Sequence, residues 1–388
     1  MSRYPTEISG ESSDQRDGGA PEPGRSRSSS IGESSPILSL FILLAVGKAV
    51  VFIAVYPFDP SPDLLQIMAT KWDANFYQII ATQGYGPSAP YVFSPVYPAL
   101  IRVVYDVVGS AWVSAYLVTN ALSFVFPVLV YKTFGYRTAL LAELFPTYVL
   151  FTTIPYSDVV ALVFLACSIL LLMRNRVLSA SATVSAAVLT FFNLAWTLPS
   201  FLVALLETRW RRRNLLFYFL PLVTGALVLL WLKLETGAYL DLVKLEAPWG
   251  LKFANPLTQA YYLLCVNSTG SYTCQSWAAD GLRLTPHYWL VRNVYFEAFY
   301  LFGALYLLKT RVTHRVFLCA YCLLVTLPLL FWTGFVALSI PRLLLPAFPV
   351  FLSYSMLLKG RKLEMTYIVL CIGLAGVFSV FQFLAYFS

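Results

Sequence analysis

Apolar runs long enough to cross a bilayer recur along almost the whole chain, and they decide its fold class. They fall at roughly 37–56, 111–131, 138–155, 157–173, 178–195, 197–208, 214–232, 288–308, 314–333, 338–358 and 365–387. A hydrocarbon core of about 30 Å is crossed by about 20 helical residues. Backbone groups in lipid must be satisfied within the segment, and these runs are continuous rather than alternating, so the spanning elements are helices. The pattern predicts an all-α polytopic bundle with about eleven transmembrane helices. The run at 197–208 is short and reads as half of a helix broken around Pro199. Only 12% of the 388 residues are charged and 59% are apolar, against about a quarter charged in a soluble domain. An ordinary water-soluble fold is excluded.

Residues 1–36 have a different character, rich in Ser, Gly, Pro and both charge signs. They read as a disordered tail, with 37–388 as the membrane domain. The first apolar run is too long for a secretory signal and lacks a small-residue cleavage pattern, so it is expected to be retained.

Charge orients the bundle. With the tail in the cytoplasm, eighteen of the 27 basic residues fall on the cytoplasmic side, and every short loop with several Lys or Arg lies there. That is the positive-inside distribution, and the inverted topology violates it. The net charge of +8 then needs no nucleic-acid partner, because orientation and anionic lipid account for it. Lys48 falls inside the first span.

Two long outer loops follow, at roughly 57–110 and 233–287. Within the first, 96–108 is too short to span, carries Arg102 and Asp106, and reads as a helix lying at the interface. The second holds Asn267-Ser268-Thr269, a glycosylation acceptor pattern, and Cys265 with Cys274, which could close a small disulfide ring. Cys167, Cys319, Cys322 and Cys371 lie in apolar runs and read as small hydrophobes, although Cys319 and Cys322 have the spacing of a metal half-site. No internal repeat is evident.

Charges beside or within spans are expensive, so each needs a reason. Asp73 sits just beyond the first span in a polar, aromatic stretch. It reads either as the N-terminal residue of a helix or as a general base at the membrane boundary. Asp158 lies in a tight turn between two spans, either capping the helix that starts near Val159 or orienting an acceptor beside Asp73. Arg342 ends a span on the outer side. It either snorkels to head groups or clamps a lipid phosphate through its forked donors, with Arg102 and Lys71 as second candidates. His287 ends the second outer loop, where it could touch substrate. His314 lies in a basic inner loop and reads as solvated. No phosphate-binding loop, dinucleotide fingerprint or zinc motif appears. A divalent cation could be held by Asp73, Asp158 and a phosphate, but nothing in the sequence calls for one. Asp73, Asp158 and Arg342 are expected to line one outward-facing cavity.

Trp72-Asp73, Phe76-Tyr77, Ile80-Ala81, Gly84-Tyr85 and Phe93 through Pro98 with Arg102 together resemble the first luminal loop of the PIG-V family, the GPI mannosyltransferase 2-like enzymes and their archaeal and bacterial relatives. Pro155-Tyr156-Ser157-Asp158 resembles its second signature, with Asp where Glu is usual. Arg342 through Pro349 resembles its C-terminal signature. The resemblance implies a GT-C-type transmembrane catalytic domain and inverting transfer of mannose from a dolichyl or polyprenyl phosphate donor to a lipid-linked acceptor. It makes Asp73 the base. Trp72, Tyr77, Arg102, Tyr156, Asp158, His287 and Arg342 are then the expected substrate contacts; the phosphate role of Arg342 comes from charge and topology alone. The active site would face the lumen of the endoplasmic reticulum in a eukaryote, or the outside of the cell membrane in a prokaryote. A partner subunit is compatible with this reading. Two other readings stay open: a transporter or flippase for a lipid-linked sugar, and a non-catalytic subunit of a glycosyltransferase complex.

Overall fold

In the computed structural model the described residues are 35–71, 73–86, 91–207, 212–237, 252–259, 286–333 and 336–387. The expected tail lies outside them up to residue 34, as does most of the second outer loop, including Cys265, Asn267 and Cys274.

Helix α1 (Pro36–Val55) is apolar around its circumference apart from the buried Lys48. A short 3-10 turn at Tyr56–Phe58 follows it. Three short helices then occupy the expected outer loop: α2 (Leu64–Thr70), α3 (Asp73–Gln83) and α4 (Val96–Val108). Helix α4 covers the stretch 96–108 that the sequence reads as a separate short helix. It buries Tyr97, Pro98 and Ile101, while Val107 on its far side is 88% exposed. Gly109 ends it with φ +75° and donates its N–H to Tyr105 O, a left-handed stop that favours glycine.

The next span, α5 (Ala111–Phe134), is continuous. The run at 138–155 is not. It divides into α6 (Tyr136–Glu143) and α7 (Pro146–Thr153), because Pro146 cannot continue a helix but can open one. Then come α8 (Asp158–Met173), α9 (Val177–Thr190), α10 (Leu198–Glu207) and α11 (Arg212–Thr236). A 3-10 segment, Phe192–Thr197, precedes α10, so the expected break near Pro199 is present and lies one step upstream.

The C-terminal part holds α12 (Pro286–Leu307), α13 (Arg315–Thr326), α14 (Val336–Leu343), α15 (Val350–Leu357) and α16 (Arg361–Phe387). Two-residue strands β1 (Lys252–Phe253) and β2 (Trp332–Thr333) pair antiparallel. The segments Ser339–Ala347 and Val350–Leu357 meet at 81°. Pro341, Pro346 and Pro349 crowd this bend, and each removes a backbone donor.

Among the described residues, three helices are long and apolar enough to cross a membrane unaided: Pro36–Phe58, Ala111–Phe134 and Arg361–Phe381. The bent pair gives a fourth if it counts as one span. Helices α8, α9 and α13 are apolar but shorter. Length alone therefore does not recover eleven crossings. Several predicted runs are broken helices rather than single rods.

The core is assembled around α5, α7 and α8. Helix α8 packs between α5 and α9, and α16 packs on α1 and α7. Helix–helix association in lipid relies on close packing and polar contacts rather than water exclusion. Gly303 shows this directly. A β-carbon there would sit 2.8 Å from Val350 Cβ and 2.9 Å from Tyr354 Cε2. The missing side chain lets α12 and α15 touch, and Ser353 Oγ donates to Gly303 O across the seam at 2.7 Å.

Candidate active site

Three segments far apart in sequence bring their charges together. Asp73 is the first residue of α3, Asp158 the first of α8, and Arg342 lies in the last turn of α14. Arg342 Nη1 donates to Asp73 Oδ2 at 2.8 Å. Its Nε stands 3.6 Å from Asp158 Oδ1, an ion-pair distance too long for a hydrogen bond. Nε is buried and makes no hydrogen bond. One guanidinium thus serves two carboxylates, and the formal charge of the three groups is −1.

The three groups are not equally enclosed. Side-chain exposure is 7% for Asp158, 13% for Arg342 and 21% for Asp73. The guanidinium carbon lies 4.9 Å from the centre of the Tyr156 ring and 6.0 Å from that of Phe151. These ring faces favour a cation, most strongly where water is scarce. Arg342 therefore has a fixed seat of Tyr156, Phe151 and Asp158, and a more open partner in Asp73.

Helix α3 is anchored so that its N-terminus meets this seat. Gln78, buried in the middle of α3, donates through Nε2 to Ala69 O at 2.5 Å and Ala74 O at 3.0 Å, bridging the break between α2 and α3. Tyr77 shares a 2.7 Å hydrogen bond with Ser157 Oγ, beside Asp158. Its ring meets Phe93 and Tyr97 edge-on, each with centroids 5.0 Å apart. Burial pushes the Tyr77 phenol well above its ordinary value, and the Asp73 carboxylate adds to the shift. The hydroxyl stays protonated and available for hydrogen bonding.

A few residues before the turn that carries Tyr156 to Asp158, α7 meets the buried Lys48 of α1. Its Nζ donates to Thr152 O at 2.6 Å, near the C-terminus of α7, and to Asn120 Oδ1 of α5 at 2.8 Å. A cation near a helix C-terminus satisfies carbonyls that lack an intrahelical donor. The reason for a lysine in an apolar helix is therefore visible: it ties three helices together.

The expected substrate contacts divide accordingly. Tyr77, Tyr156, Asp158 and Arg342 gather around Asp73. Arg102 does not join them. It pairs with Asp106 at 2.9 Å, is half exposed, and points Nη1 toward Ala81 O and Thr82 O at the other end of α3. Ten residues of helix, about 15 Å, separate the first and last residues of α3. Trp72 lies outside the described residues. His287 is in α12, but its side chain is not among those described. Asp73 and Asp158, the two carboxylates expected to hold a divalent ion together with a phosphate, both face Arg342. Among the described residues no group of three or more His, Cys, Asp or Glu gathers as a metal site.

Single residues sort differently. Of the two readings of Arg342, the contacts accord with a fixed guanidinium, turned to the two carboxylates. His314, expected to be solvated, is buried, with Nδ1 3.5 Å from Glu207 Oε2. Glu207 also accepts the backbone N–H groups of Val316 and Phe317 at 3.1 and 3.3 Å, capping α13 from α10. Cys319 and Cys322 are buried free thiols, with Cys322 Sγ 3.6 Å from Ala347 O.

Sequence reasoning passed over Glu143. It is fully buried at the end of α6, and neither carboxylate oxygen has a hydrogen-bond partner. One acid inside a long apolar run barely alters a hydropathy window; Pro146, three residues on, was the available sign that the run breaks there.

No known family model matches the sequence, and no curated protein matches it. Two solved structures of ArnT from Cupriavidus metallidurans are similar in fold. The structure in the apo state is 14% identical with a TM-score of 0.51, over 87% of this chain and 63% of ArnT. The structure bound to undecaprenyl phosphate is 14% identical with a TM-score of 0.47, over 86% and 63%. The chain thus spans less than two thirds of the length of ArnT. The likeness is one of fold alone: this is a predominantly helical membrane protein whose helices are arranged like those of ArnT.

Proposed function

We propose that this protein is an integral-membrane glycosyltransferase that moves a mannosyl residue from a dolichyl or polyprenyl phosphate donor to a lipid-linked glycan or glycolipid acceptor. Asp73 is the general base and the site opens on the extracytoplasmic face. The convergence of Asp73, Asp158 and Arg342 carries the reading. The ArnT-like fold supports it, and so do the three ordered motifs resembling the PIG-V family.

In the reaction the acceptor hydroxyl oxygen attacks the anomeric carbon of the donor sugar. An oxygen–carbon bond forms as the bond from that carbon to the phosphate oxygen breaks. The electron pair leaves with the phosphate, and the acceptor proton passes to Asp73. A single in-line displacement inverts the anomeric centre. Phosphate is already a good leaving group, so positioning and electrostatics supply most of the acceleration. Arg342 stabilises the charge that grows on the departing phosphate, Tyr156 and Asp158 hold Arg342, and Tyr77 fixes α3 against Ser157.

A second reading, a transporter for a lipid-linked sugar, draws on one observation: Glu143 is an unpartnered carboxylate inside the bundle, where ionisable groups often mark a translocation path. The two readings separate in one assay. Purified protein is supplied with polyprenyl-phosphate mannose or glucose and a panel of lipid-linked acceptors. The enzyme reading expects a glycosylated acceptor and free polyprenyl phosphate in equal amounts. Movement of the intact donor across a vesicle membrane without either product supports transport instead.

A further inference from the structure

Arg342 is already engaged by the carboxylate proposed as base, and this has a consequence for the order of events. We infer that donor phosphate and Asp73 compete for the same face of Arg342, so that binding of the lipid phosphate releases Asp73 to act. The inference rests on the reading of the site as a phosphate-lipid transferase and adds a coupling to it.

The argument is one of inventory. A guanidinium has five N–H donors in a fixed plane. Here one Nη1 hydrogen goes to Asp73, while Nε points toward Asp158 from 3.6 Å without a hydrogen bond. The Tyr156 ring lies against the guanidinium at 4.9 Å, which restricts approach from that side. A phosphate seeking paired, parallel donors must therefore take an edge that a carboxylate now uses.

Charge points the same way. The three groups sum to −1, and a phosphodiester adds another negative charge. A phosphate resting beside an undisturbed Asp73 would feel like-charge repulsion across a few ångströms, in a place where water screens poorly.

Enclosure decides which carboxylate yields. Asp158 is rooted at the start of α8, among core helices, and is the least exposed of the three groups. Asp73 is the most exposed and stands at the open end of the short helix α3. Exchange at Asp73 needs only a side-chain rotation, whereas exchange at Asp158 would uncover a buried acid. Once released, the Asp73 carboxylate has its lone pairs free for an acceptor hydroxyl. Before the donor arrives they are partly committed to Arg342. The base is masked until its substrate phosphate is seated, and the donor binds before the acceptor is deprotonated.

The test measures binding rather than turnover. The full chain, purified in lipid nanodiscs, is titrated with undecaprenyl phosphate. Wild type is compared with Asp73→Asn, Asp73→Ala and Arg342→Gln, each checked for folding by its melting temperature. Exchange predicts that both Asp73 variants bind about tenfold more tightly than wild type, while Arg342→Gln loses binding. Equal or weaker binding by both Asp73 variants, with wild type still binding, overturns the exchange and leaves the phosphate site standing. No binding by wild type or by either Asp73 variant removes the phosphate-site reading and the exchange with it. Inorganic phosphate is the second probe. The same relative gain with both probes assigns the competition to the phosphate group. A gain confined to the lipid ties it to the prenyl chain and overturns exchange at Arg342.

Discussion

Replacing Arg342 with Gln tests the site as a physical object, independent of any reaction. The substitution keeps much of the side-chain volume but removes the cation between Asp73 and Asp158. Breaking a fully buried ion pair by removing one partner costs about 3–5 kcal/mol. An exposed pair contributes about 0.2–1 kcal/mol. The Arg342 site lies between these limits, because Asp73 retains 21% side-chain exposure and Arg342 itself 13%. A loss of about 2 kcal/mol is therefore expected, most of it from leaving Asp158 beside Asp73 without a counter-charge. The assay is a double-mutant cycle: melting of wild type, Arg342→Gln, Asp158→Asn and the double variant in one detergent. If the 3.6 Å contact is an ion pair, Asp158→Asn recovers about 1 kcal/mol in the Arg342→Gln background and costs stability in wild type. An Arg342→Gln protein as stable as wild type, with additive single effects, would refute the bridging role.

Other substitutions test the supports. Tyr77→Phe keeps the ring against Phe93 and Tyr97 but deprives Ser157 of its 2.7 Å partner; a loss of about 1 kcal/mol in a melting assay is expected. Gly303→Ala forces a β-carbon to within 3 Å of Val350 and Tyr354, and about 1–3 kcal/mol of overpacking should appear as a lowered melting temperature. Arg102→Ala removes a half-exposed pair with Asp106 and should change stability by under about 0.5 kcal/mol, with turnover near wild type; a large loss of activity would return Arg102 to the substrate contacts.

The membrane class, the short helix at 96–108 and the charged residues at the centre of the site were legible in the sequence for a common reason. A charge beside an apolar run is costly, so it stands out against its surroundings. Asp73, Asp158 and Arg342 each met that test singly. Their meeting did not, because 184 residues separate Asp158 from Arg342 and no local pattern encodes a contact at that range. Arg102 passed the same test and does not join them, since its own helix supplies a partner for the charge in Asp106. Breaks in the apolar runs were partly legible. Pro199 announced one, whereas Pro146 and the trio Pro341, Pro346 and Pro349 went unused because averaged hydropathy hides a proline. His314 illustrates the converse error: a basic loop suggested solvent, but Glu207 arrives from a helix more than a hundred residues earlier.

The most direct test of the whole account is turnover by Asp73→Asn. The variant is close to isosteric and keeps an oxygen that can accept from Arg342, so it should enter the membrane and melt near wild type. Loss of the base should cut mannosyl transfer from polyprenyl-phosphate mannose by about 10²- to 10⁴-fold, with the phosphate lipid still bound. A folded Asp73→Asn protein that transfers sugar at a rate within a few-fold of wild type would contradict the assignment at its centre.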